Sequence, residues 1–246
     1  MPPDGPVLSE DEVHIWGVSL HQSSPCLEML SQFLSQEERT RTERFHFDRD
    51  RRRFIVSQGY LRILLGRYLD MRPKQIEFFR GARGKPDLKT SKTVHPEAAK
   101  LRFNLSHSHE LAVYAVTKGR EIGIDIEHIR PVSDAANIVK RFFSSQEQAA
   151  FFSLSEEQQI EAFFNCWTRK EAFIKAIGEG LFHPLDQFSV SLKPGEPARL
   201  LHIGPEPHEK HRWLLRAFVP ASGYVAAVVA EGQSWRLKCW RTEKIV

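Results

Sequence analysis

Asp125 and Glu127, in Gly123-Ile124-Asp125-Ile126-Glu127, and Glu171, 44 positions further on, are the side chains whose types and spacing best suit chemistry. In Ile122 to Ile129 the apolar residues alternate with acids, and a strand's period of two puts both carboxylates on one face. Side by side they repel, which makes a cation a natural resident. Glu171 lies in Trp167-Thr168-Arg169-Lys170-Glu171-Ala172-Phe173-Ile174-Lys175, on the apolar stripe of a helix marked by Ile160, Phe163, Phe164, Trp167 and Ile174. A carboxylate buried there without a partner costs several kcal/mol. Three carboxylates, completed by substrate phosphates and water, make an oxygen-only shell suited to Mg²⁺, with Mn²⁺ as an alternative. Two plainer readings fit the same residues: Asp125 and Glu127 as a solvated strand face, and Glu171 paired with Lys175 one turn on.

The elements that must position these acids repeat along the chain. Val13 to Val18 and Ile122 to Glu127 are both strand-like and begin 109 residues apart, and Phe33-Leu34-Ser35-Gln36-Glu37-Glu38 recurs 109 residues later as Phe142-Phe143-Ser144-Ser145-Gln146-Glu147. Each half continues into a long helix, the first opening at Arg52-Arg53-Phe54-Ile55 and ending near Leu69, the second spanning about 157 to 178. Each then closes on an apolar strand, Leu111 to Val116 or Tyr224 to Val229. The order implies an α+β fold of two similar lobes, residues 1–118 and 119–246, related by a pseudo-two-fold and joined at Lys118-Gly119-Arg120, with ligand and metal at the lobe interface. The acids occur in the second copy alone; Trp16 and Val18 stand where Asp125 and Glu127 stand.

These two motifs, at this distance, resemble the signature pair of the 4′-phosphopantetheinyl transferases, and Trp167 and Ala172 favour their two-lobed, surfactin-type branch. The resemblance covers most of the chain beyond the first dozen residues. It implies coenzyme A as substrate, Mg²⁺ as cofactor and an acyl or peptidyl carrier protein as partner. It implies transfer of the 4′-phosphopantetheine arm to a carrier serine, with release of 3′,5′-adenosine bisphosphate. It places Lys85 and Pro86 of Gly84-Lys85-Pro86 at the adenine and phosphates, and Ser106 and His107, expected just after a short strand through Phe103 and Leu105, on phosphate oxygens. Arg41 and Arg53 fall at basic positions near the 3′-phosphate. Glu38 departs from the lysine that relatives often carry there. Lys175 is expected on the phosphates and Glu171 as the base, directly or through a water, whereas Lys170 has an outward ion pair as an equal reading.

Composition sets the remaining bounds. With 246 residues, 41% hydrophobic and 27% charged, the chain has enough apolar material for one large core or two modest ones. Its three cysteines, Cys26, Cys166 and Cys239, are far apart and lack a C-x-x-C, which fits reduced thiols. The first twelve residues have no basic flank or apolar run, and no stretch approaches a membrane span, so a cytoplasmic monomer with no membrane or nucleic-acid partner is expected. A net charge of +4 suits an anionic partner. The arginines of 39 to 53 admit nucleic acid as a rival ligand, but Glu43, Asp48 and Asp50 interrupt them and no recognition signature is present. Another Mg²⁺-dependent phosphate transferase is a further rival, yet neither G-x-x-x-x-G-K-[ST] nor G-x-G-x-x-G occurs. Arg130 to Phe152, rich in Phe and basic residues, is the expected carrier-docking segment, with a core role for its phenylalanines as the alternative.

Overall fold

The structure is a computed structural model that describes residues 5–81, 83–89, 99–180, 183–204 and 208–242. The first half runs β1 (Glu12–Ser19), α1 (Ser24–Ser31), α2 (Gln36–Glu43), α3 (Asp48–Leu69), β2 (Phe78–Arg80), β3 (Pro86–Leu88), β4 (Leu101–Ser108) and β5 (Leu111–Lys118). The second runs β6 (Ile122–His128), α4 (Ala135–Phe142), α5 (Ser145–Phe152), α6 (Glu156–Ile177), β7 (Phe188–Val190), β8 (Leu200–Ile203), β9 (Trp213–Phe218), β10 (Tyr224–Glu231) and β11 (Arg236–Thr242). One sheet has the order β11-β1-β5-β4 and another β6-β10-β9. The β1–β5 and β6–β10 pairs are antiparallel in both, whereas β11 lies parallel to β1.

The α+β fold and its two lobes are as expected. Strand alternation explains their stacking. Val13, Ile15, Leu111, Val113 and Ala115 of the first sheet share a core with Ile122, Ile124, Ile126, Ala226 and Val228 of the second, so the sheets pack on each other. The opposite face of the first sheet, with Trp16, Val18, Ala112, Tyr114 and Val116, carries Val56, Tyr60, Leu61, Leu64 and Leu65 of α3. The outer face of the second, with Val225, Ala227 and Val229, carries Phe163, Phe164, Phe173 and Ile174 of α6. Strands covered on both faces need side chains that are apolar throughout, which is why β5 and β10 read as unbroken apolar runs. The two long helices are 22 residues each and end on left-handed residues, Asp70 and Gly178. Ile160, read as part of the buried stripe, is 40% exposed near the start of α6, whose buried residues begin at Ala162.

The repeat reaches into buried polar detail. Ser35 and Ser144 both cap the next helix in a capping box, with Glu38 and Glu147 as the reciprocal acids. Each acid then meets a cation from the long helix of its lobe. Arg62 lies 2.8 Å from Glu38 and donates to the carbonyls of Pro73 and Ile76, and Lys170 lies 2.8 Å from Glu147 and donates to those of Leu185 and Phe188. Lys170 is fully buried, so its ion pair points inward rather than outward. Glu38 is likewise occupied, as helix cap and partner of Arg62. The final strand breaks the lobe pattern: β11 leaves the second half and joins the first sheet.

Candidate active site

Gly123 determines how α6 meets β6. A Cβ there would stand 2.1 Å from the Ala172 carbonyl oxygen and 2.3 Å from the Ala176 nitrogen, so the helix backbone rests directly on the strand. Glu171 and Lys175 flank that contact on α6. On β6, Gly123, Asp125 and Glu127 alternate with the isoleucines of the inter-sheet core, so both acids face away from that core, as the spacing predicts.

Lys175 does not pair with Glu171. Its ammonium donates to Asp125 Oδ1 at 2.6 Å, Ser106 Oγ at 3.0 Å and the Ile124 carbonyl at 3.3 Å. The Ser106 hydroxyl donates to the same Asp125 oxygen at 2.7 Å. The other oxygen, Oδ2, is buried with no protein partner. Glu127 Oε2 accepts from Ser108 Oγ at 2.7 Å, and the Arg130 guanidinium approaches it at 3.5 Å. Burial, then repulsion from Asp125, raises the Glu171 pKa to about 7; Lys175 opposes the rise and Glu127 adds to it.

These facts test the donor set for a cation. An orphaned buried carboxylate oxygen, and an acid whose pKa is raised first by burial and then by two neighbouring acids, are the marks of a site short of positive charge, and three carboxylates are the hard oxygen donors that Mg²⁺ takes. The set fits such an ion. As placed, the acids hold apart: among the described residues no three His, Cys, Asp or Glu side chains converge as ligands, and the Lys175 ammonium serves as counter-ion to Asp125.

The expected anion-binding residues fall into two groups. Ser106 and His107 lie inside β4, which runs on to Ser108 instead of ending before them, because the ladder with β5 continues to Ser108↔Leu111. His107 is solvent-accessible; desolvation, then the charges of Lys175 and Arg53, lower its pKa and favour the neutral imidazole. Arg53, half-buried on α3, donates to Glu110 at 2.7 Å and keeps a buried Nε without a partner. Lys175 thus touches Asp125 directly, and His107 feels the charges of Lys175, Arg53 and Asp125. Arg41 lies farther along, exposed on α2 with its guanidinium 5.0 Å from the centre of the Phe54 ring. It lines an open groove of about 1260 Å³ with Arg44, Phe45, Arg80, Pro86 and Leu105.

Lys85 stands apart. Its ammonium donates to the Ala176 carbonyl and to Glu121, both at 3.0 Å, which fastens the β2–β3 hairpin to the end of α6. It borders a smaller cleft of about 340 Å³ with Pro86, Phe103 and Gly178. Sequence reasoning assigned no role to Asn104 or Ser108. Both share a β4 face with Ser106, a period-two signal present in Asn104-Leu105-Ser106-His107-Ser108. In the proposed docking segment Phe143 and Phe151 are core, whereas Phe152 is 46% exposed.

Two lobes whose sheets stack on each other, a groove lined with arginines and a carboxylate–lysine cluster where the lobes meet define a two-lobed α+β protein with a candidate active site between its halves. The chain belongs to the 4′-phosphopantetheinyl transferase superfamily. The profile described by that name matches residues 121–229, and one described as "4'-phosphopantetheinyl transferase, N-terminal" matches residues 19–119. The chain is 42% identical over 239 residues to 4′-phosphopantetheinyl transferase HetI of Nostoc sp., covering 97% of this chain and 95% of that one. It is 34% identical over 165 residues to 4′-phosphopantetheinyl transferase Sfp of Bacillus subtilis, covering 67% and 69%. It is 32% identical over 168 residues to the human L-aminoadipate-semialdehyde dehydrogenase-phosphopantetheinyl transferase, covering 65% of this chain and 53% of that one. The surfactin-type branch and the transferase class are thus those the motifs imply.

Proposed function

We propose that this enzyme transfers the 4′-phosphopantetheine arm of coenzyme A to a serine of an apo-acyl or apo-peptidyl carrier protein and releases 3′,5′-adenosine bisphosphate. The observation that carries this reading is the Lys175 ammonium held on Asp125 and Ser106, with Glu171 one helical turn away and Glu127 on the same strand face, because a diphosphate undergoing substitution needs charge neutralisation and a base close together. Asp125, Glu127 and Glu171 are the residues that would hold Mg²⁺, or Mn²⁺, which when bound would neutralise charge on the diphosphate. Glu171, directly or through a water that it orients, accepts the proton of the carrier serine. The serine oxygen forms a bond to the β-phosphorus. The bond from that phosphorus to the bridging oxygen breaks, and its electron pair leaves on the adenosine bisphosphate. Lys175 offsets the charge that accumulates there, and Ser106 keeps Lys175 and Asp125 aligned.

His107 and Arg53 are the anchors we assign to phosphate oxygens, and Arg41 with Pro86 lines the groove that takes the rest of the nucleotide. Lys85 serves the same substrate by holding the hairpin against α6. The carrier docks near Arg130, Lys140, Arg141 and the exposed Phe152. We place the meeting with the carrier in the cytoplasm and the enzyme as a pseudodimeric monomer. Among the described residues no helix is long and apolar enough to cross a membrane.

The test is to incubate the protein with coenzyme A, Mg²⁺ and a panel of apo-carrier domains and weigh the carriers. A gain of one phosphopantetheine is expected, absent when the carrier serine is alanine or the metal is chelated. Coenzyme A binding without modification of any carrier would overturn the transferase reading of this site.

A further inference from the structure

Strands β4 and β6 run side by side where the lobes meet, yet they belong to different sheets and share no backbone ladder. Side chains on one face of β4 supply the missing bonds at every second residue. Asn104 Oδ1 accepts the Ile124 backbone N–H at 2.9 Å, the Ser106 hydroxyl donates to Asp125 at 2.7 Å, and the Ser108 hydroxyl donates to Glu127 at 2.7 Å. Ser108 Oγ also accepts the His128 backbone N–H, at 3.1 Å. With that N–H on its lone pair and a carboxylate at donor distance, its single proton is directed at Glu127.

We infer that Ser108 is a positioning residue: held by the backbone of β6, its hydroxyl fixes the orientation of the Glu127 carboxylate as a ligand for the divalent ion, so the first lobe sets the metal affinity of the second. This rests on Asp125, Glu127 and Glu171 being the metal ligands. Glu127 needs the constraint more than Asp125 does. Its side chain is 24% exposed against 7% for Asp125, and its other close partner is the exposed Arg130 at 3.5 Å. Without Ser108 the longer glutamate side chain can turn toward Arg130 and the solvent. Hydrogen bonds of this indirect kind, from a neighbour to a ligating carboxylate, typically change metal affinity about 10- to 100-fold.

The experiment is Mn²⁺ titration of the full-length protein, followed by electron paramagnetic resonance of free Mn²⁺, for the wild type, Ser108→Ala, Ser108→Thr and Asp125→Ala, with melting temperatures taken in chelator. Ser108→Ala should weaken Mn²⁺ binding about 10-fold or more, and Ser108→Thr, which keeps the hydroxyl, should recover most of it. A Ser108→Ala protein that melts lower but binds Mn²⁺ like the wild type would overturn the inference, because its role would then be structural. Equal loss in Ser108→Thr and Ser108→Ala would overturn it too. Asp125→Ala separates this from the site assignment: if it binds as tightly as the wild type, or the wild type does not bind, the metal ligands themselves are wrong.

Discussion

At the residue scale, charge decides most of what this site can do. Glu171 titrates at about 7 against an ordinary value of 4.5, because burial and the Asp125 and Glu127 carboxylates disfavour its ionised form. The folded chain therefore holds that proton more tightly than the unfolded chain. The stabilisation is complete below pH 4.5 and is lost as pH rises through 7. For a half-buried group, screened by solvent, it amounts to about 2 kcal/mol. In the metal-free protein, Glu171→Gln should abolish this dependence and raise the melting temperature by about 5 °C at pH 8, with little effect at pH 5. Mg²⁺ should stabilise the wild type at pH 8 and Glu171→Gln much less. Calorimetry in chelator and in Mg²⁺ checks both, and a wild-type melting temperature that is level from pH 5 to 8 would show that the three acids do not strain one another. These acids were legible in the sequence because strand and helix periodicities assign faces. The partner of Lys175 was not: helical spacing offers Glu171, and only the crossing of α6 over β6 delivers Asp125 instead.

At the element scale, the contact of α6 with β6 is the joint on which the site depends. Gly123 has backbone atoms of α6 on its outer side, so an added methyl group cannot be relieved by a side-chain rotation. Gly123→Ala should push the helix off the strand, at a cost of about 3 kcal/mol, the upper end for overpacking. The melting temperature should fall by about 10 °C. Turnover should fall further than stability accounts for, since Glu171 and Lys175 move with the helix. A variant with wild-type melting and turnover would mean that the helix can lift without disturbing the site. The ends of both long helices were readable from the apolar periodicity, near Leu69 and Ile177, whereas α3 opens at Asp48, four residues before the expected Arg52, because its charged first turn carries no apolar mark. The extent of β4 was misread because Ser106-His107-Ser108 has the composition of a loop. Its strand pairing comes from β5, and its polar side chains are retained to bridge to β6.

At the scale of the whole molecule, one architecture has been used twice with one functional outcome. Beside β6, where β4 leaves a gap spanned by side chains, lies the acid site. Beside β1, β11 closes the corresponding place with a parallel ladder from Glu12↔Arg236 to Val18↔Thr242. Trp16, at the position of Asp125, stacks on Trp240 with ring centres 4.8 Å apart and donates to the Tyr68 hydroxyl at 2.9 Å; His14 bridges that hydroxyl and Glu12. Indole rings thus fill the first lobe's counterpart of the site. The sequence disclosed the replacement of acid by tryptophan at that position. It could not disclose the seal, because β11 pairs across more than 200 residues and leaves no local periodic mark on β1. If the first lobe's cluster is packing alone, Trp240→Ala should lower stability without touching chemistry. Loss of the stack and of half-buried indole area should cost about 2 kcal/mol, or about 4–8 °C in melting temperature. The turnover number and the KM for coenzyme A, measured well below that melting temperature, should stay within about twofold of the wild type. A Trp240→Ala protein that melts normally but turns over at a tenth of the wild-type rate would place the first lobe's cluster in the reaction and end the description of this enzyme as one-sided.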